Sequence, residues 1–73
     1  MTALETVIKL SSLMSQSAKS KMGLMPAPEE KDVRTALKEY FRAKNLEPIE
    51  FDTMNEMMHF ISDIVYEEIY SSR

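Results

Sequence analysis

"FDTMNEMMHFISDIVYEEIY", residues 51–70, carries the reading on which the fold turns. At about 100° per residue, Met54, Met57, Met58, Ile61, Ile64, Val65 and Ile69 fall in one continuous arc, with Phe60 and Tyr66 at its margins. That arc spans about 240°, against a stripe of about 100° for an ordinary surface helix. The period predicts an α-helix over residues 53–71, and Thr53 followed by Glu56 has capping-box spacing at its start. A helix this apolar is either the hub of its own domain or shared with another chain.

Two further helical segments precede it. Over residues 3–22, Ala3, Leu4, Val7, Ile8, Leu10, Met14, Ala18 and Met22 share one broad face, and Thr2 with Glu5 again has capping-box spacing. Lys19 and Lys21 suit the negative end of that helix, and Gly23 is placed to end it in the left-handed conformation, with Leu24 as apolar partner. Five serines in its second half compete for backbone hydrogen bonds, so this half is expected to fray without packing. Over residues 28–45, Pro28 suits a first turn, and Glu29, Glu30 and Asp32 lie near its positive end. Val33, Ala36, Leu37, Tyr40 and Phe41 form its apolar stripe, Glu30 and Arg34 its supporting pair, and Asn45 its stop.

The breaks at 24–28 and 46–52 both contain proline. In the second, Leu46, Ile49 and Phe51 are expected to cross the domain extended and plug into the core. The whole chain, 1–73, therefore reads as one small all-α domain of three helices, with no hairpin signal. A core of this size contributes only about 3–5 kcal/mol, so completion by self-association, a dimer first, or by a partner is expected.

Charge and composition exclude several function classes. The net charge is −3 and cysteine is absent, so there is no disulfide framework and no thiolate nucleophile. No cluster of bases can neutralise several phosphates, which argues against nucleic acid as a partner. No apolar run has membrane-spanning length and no signal-peptide core stands at the N-terminus, so a cytoplasmic protein is expected. His59 lies between Glu56 and Asp63 at helical spacings but has no second histidine, and it falls on the polar flank. The single glycine rules out a glycine-rich phosphate loop. No catalytic constellation, metal site or cofactor site is expected.

The expected function is therefore non-enzymatic: a protein-interaction or regulatory module that uses Met54, Met57, Met58, Ile61, Ile64, Val65 and Ile69. Methionines adapt to partner surfaces, which favours that face. The alternatives are a structural subunit of a larger helical assembly and, after it, a small DNA-binding regulator. Glu68 tests the seam, because it falls inside the arc one turn after Ile64. Either the buried seam ends near Val65, or Glu68 meets a cation such as Lys44 or Arg73.

The run Pro48-Ile49-Glu50-Phe51, set between two helices, resembles the loop and second-helix start of RIIa-type dimerisation-docking domains. The resemblance covers four residues and implies an antiparallel four-helix bundle made by two chains. Asp52-Thr53 departs from it, since a new helix starts where the family's helix continues.

Overall fold

The computed structural model describes residues 2–70. The first helix, α1, runs Ala3–Lys21 and opens with the full capping box. The Thr2 hydroxyl accepts from the Glu5 N–H at 3.2 Å, and the Glu5 carboxylate accepts from the Thr2 N–H at 3.0 Å. These bonds to Thr2 hold the Glu5 carboxyl below its ordinary value, because they favour its charged form. At the other end Gly23 takes φ 76°, with Leu24 N–H donating to Lys19 O and Gly23 N–H to Ser20 O. That is a Schellman stop, and only a residue without Cβ adopts it freely. Leu24 itself remains exposed rather than packing as expected.

Helix α2, Glu30–Ala43, starts two residues later than the sequence suggests. Pro28 is buried against the domain, outside the helix, and Glu29 caps in extended conformation without a side-chain bond. Its far end repeats the Schellman pattern: Asn45 has φ 57°, Asn45 N–H donates to Arg42 O, and Leu46 N–H to Phe41 O. The Glu30–Arg34 pair forms at 2.9 Å.

Helix α3, Met54–Val65, has half the expected capping box. The Thr53 hydroxyl accepts from Glu56 N–H at 3.2 Å, while the Glu56 carboxylate takes the Thr53 hydroxyl rather than its backbone. The regular helix stops at Val65 and continues as a π-helical turn, Tyr66–Tyr70. A regular continuation would aim Glu68 into the apolar arc. The wider turn changes that register, and the Glu68 carboxylate accepts from Lys44 Nζ at 2.9 Å. Both arms of the Glu68 expectation thus hold: burial ends at Val65, and Lys44 is the cation. Residue 71, the expected helix end, and Arg73, the other candidate cation, lie outside the described residues.

The core draws on all three helices: Val7 and Leu10 from α1, Val33, Ala36, Leu37, Tyr40 and Phe41 from α2, and Met57, Ile61, Ile64 and Val65 from α3. Buried Thr6 joins them because its hydroxyl donates to Ala3 O at 2.6 Å, leaving no unsatisfied donor. A ladder of rings, Tyr40–Phe41–Phe60–Phe51, closes the α2–α3 side with centroids 5.1–5.8 Å apart. Phe51 is the one residue of the second break that packs as expected. Leu46 and Ile49 are half exposed, which corrects the expectation that the segment plugs three side chains into the core. The Schellman stop turns the chain at Leu46, and residues 46–50 take no regular structure.

Candidate interaction surface

The seven residues singled out on α3 do not share one environment. Met57, Ile61, Ile64 and Val65 are buried inside the chain's own core, Ile61 at 0% exposure. Met54 and Met58 are half-buried against that core, and Ile69 is exposed. That part of the arc thus lies inside a three-helix core in which α1 packs on both α2 and α3. As a contact surface for another molecule, the folded chain leaves only Met54, Met58 and Ile69 of that set.

Part of the exposed apolar surface lies along the seam between α1 and α3. Ser62 Oγ donates to the Met14 sulfur at 3.5 Å, and the end of α1 faces the start of α3 across a cleft of about 390 Å³. Met22, Asn55, Met58 and His59 line it. The two helices therefore run antiparallel. Lys9 reaches Glu39 on α2 at 3.5 Å from the opposite flank of α1, so α2 covers the other side. That pair is too long for a hydrogen bond, and the buried Glu39 Oε1 has no hydrogen-bond partner.

By helical register, the uncovered flank of α1 carries Leu4, Ile8, Ser11, Ser15, Ala18 and Met22. The matching flank of α3 carries Met58, His59 and Ser62, continuing into the π turn. Ile8 is 55% exposed and Tyr66 63%, and Leu4, Met22, Ile69 and Tyr70 are open to a similar degree. The rings of Tyr66 and Tyr70 stand 5.8 Å apart and form an aromatic shelf at one end. Apolar groups thus cluster at both ends of the seam, with small serines between them.

Leu4 and Ile8 had been legible as apolar, but within a face too broad for any one neighbour to cover. Thr6 was missed from the buried stripe because its hydroxyl finds a partner within α1 itself. His59 is exposed at the seam, in agreement with its placement on the polar flank. Among the described residues no three acidic, histidine or cysteine side chains gather as a metal site would need. No described helix is long and apolar enough to cross a membrane.

The fold and surface together define a small all-α three-helix domain. Set against protein-family models, curated proteins and solved structures, the chain finds no match. The Pro48–Phe51 resemblance does not extend to the fold, since Phe51 lies outside α3 and three helices pack within one chain.

Proposed function

We propose that this chain is a non-enzymatic interaction module in a cytoplasmic setting. It docks a second helical surface on the α1–α3 seam, a second copy of itself first. The observation that carries the reading is the exposure of Leu4, Ile8, Met22, Tyr66, Ile69 and Tyr70. A stable interface takes about 800 Å² from each partner, about 15% of the 5244 Å² this chain exposes.

Charge favours self-pairing. Along α1, Lys9 is engaged with Glu39 on the other flank, which leaves Lys19 and Lys21 against Glu5, whereas α3 and its π turn carry Glu56, Asp63 and Glu67, besides Glu68 held by Lys44, with no lysine or arginine. A two-fold arrangement that lays α1 of one copy on α3 of the other opposes these signs and sets apolar end against apolar end. The serines near the centre permit close approach. The test is sedimentation of the wild type against a double variant, Ile8→Glu with Tyr66→Glu. The wild type is expected to sediment as a dimer at micromolar concentration and the variant as a helical monomer. A wild type that stays monomeric across that range removes self-association from the reading.

A further inference from the structure

A second surface lies on α2, away from the seam, and stands or falls separately from it. Most cations of α2 are engaged: Lys31 with Glu29, Arg34 with Glu30 and with the Phe51 carbonyl, and the capping Lys44 with Glu68. Lys38 and Arg42, one turn apart, make no ion pair among the described residues. Like charges at that spacing repel, and an anion placed between them relieves the repulsion. Beside them the chain turns back after Asn45 and leaves a cleft of about 440 Å³, with Phe41 as its floor and Leu46 and Pro48 as its wall. Leu46 is 51% exposed although it faces this cleft.

Among the described residues, the peptide N–H groups of 47, 49 and 50 donate to no other backbone group. A peptide N–H without an internal partner is open to a carbonyl of an added polypeptide. Glu50 stands on the rim and repels a carboxylate at its own end, so an acidic ligand group is directed to the Lys38–Arg42 end.

We infer that this cleft binds an extended segment of a partner polypeptide in which carboxylates alternate with apolar side chains. One carboxylate sits between Lys38 and Arg42, and the neighbouring apolar side chain rests on Leu46, Pro48 and the edge of Phe41. The test titrates the full isotope-labelled chain at low salt with three short capped peptides: alternating glutamate and leucine, alternating glutamine and leucine, and all glutamate. The first is expected to give saturable amide shifts centred on Lys38, Arg42, Leu46 and Ile49. Each of the other two should bind at least about tenfold more weakly, one lacking the charge-assisted bonds and the other the apolar contact. The variant Lys38→Gln with Arg42→Gln, both on an exposed helix face, should keep its circular dichroism and lose the binding. Leu46→Ser should weaken it without changing the helices. No saturable shift, shifts centred on the α1–α3 seam, binding of either other peptide equal to that of the alternating glutamate–leucine peptide, or binding that survives the double variant would each overturn the inference.

Discussion

Two residues in left-handed backbone, Gly23 at φ 76° and Asn45 at φ 57°, end the first two helices by the same hydrogen-bond pattern. A Cβ at Gly23 would meet nothing within 4 Å, so the cost of adding one is backbone strain alone. Gly23→Ala should lower stability by about 1 kcal/mol in urea denaturation. Gly23→Asn should cost less, because asparagine tolerates this conformation, and Asn45→Gly should stabilise slightly. Equal losses for Gly23→Ala and Gly23→Asn would show that packing rather than backbone governs this stop. At the C-terminal end of the described chain, the hydrogen bond from Lys44 to Glu68, helped by the Glu68 charge, raises the Lys44 amine above its ordinary 10.5. Burial, and then Glu68, raise the Tyr40 phenol above 10.0. Both groups bind protons more tightly in the folded chain than in the unfolded one. Their contribution is therefore complete below the ordinary values and is lost as pH rises through the folded ones. Denaturation midpoints of wild type and Lys44→Met, compared from pH 8 to about 11.5, should converge at the alkaline end. A constant gap over that window would mean that the Lys44–Glu68 pair does not set it.

At the scale of the element, α1 carries two apolar stripes, and only one of them is core. Leu10 is fully buried while Ile8, two residues earlier, is half exposed. Leu10→Ala should cost about 2–5 kcal/mol by thermal or chemical denaturation, and Ile8→Ala within about 0.5 kcal/mol in the monomer. Similar losses at the two positions would contradict this division of the helix. The serine-rich half of α1 is continuous helix, with Ser11 and Ser20 hydroxyls donating back to Ile8 O and Ser17 O. These bonds compete with the helix's own ladder. Amide exchange should accordingly be fastest over residues 11–27, where few side chains are buried and the prolines follow. Protection there equal to that of α3 would refute it.

At the scale of the molecule, the burial of Met57, Ile61, Ile64 and Val65 separates folding from association. Ile61 touches no solvent, so Ile61→Glu buries an unpaired carboxylate among Met57, Ile64 and Val65. That should unfold the chain, seen as loss of helical circular dichroism, at a cost of at least a few kcal/mol. A folded Ile61→Glu monomer would mean that the core tolerates opening along α3. Seam variants such as Tyr66→Glu alter an exposed position and should leave the helices intact.

The sequence by itself determined the three helices, because their signals are local: apolar period, capping pairs, and the residues able to turn left-handed. It also set the alternative at Glu68, a buried seam that ends near Val65 or a cation beside the carboxylate, because an unpaired buried carboxylate is costly. Only the tertiary structure decided which apolar residues face inward. Leu4, Ile8, Leu46 and Ile49 are as hydrophobic as their buried neighbours, and nothing local marks them as outside. That division depends on the angles at which α1 and α2 meet α3, which leave one flank of α1 and the turn at Leu46 uncovered. The π turn was likewise beyond local reading, and its Glu68 meets Lys44, twenty-four residues away along the chain.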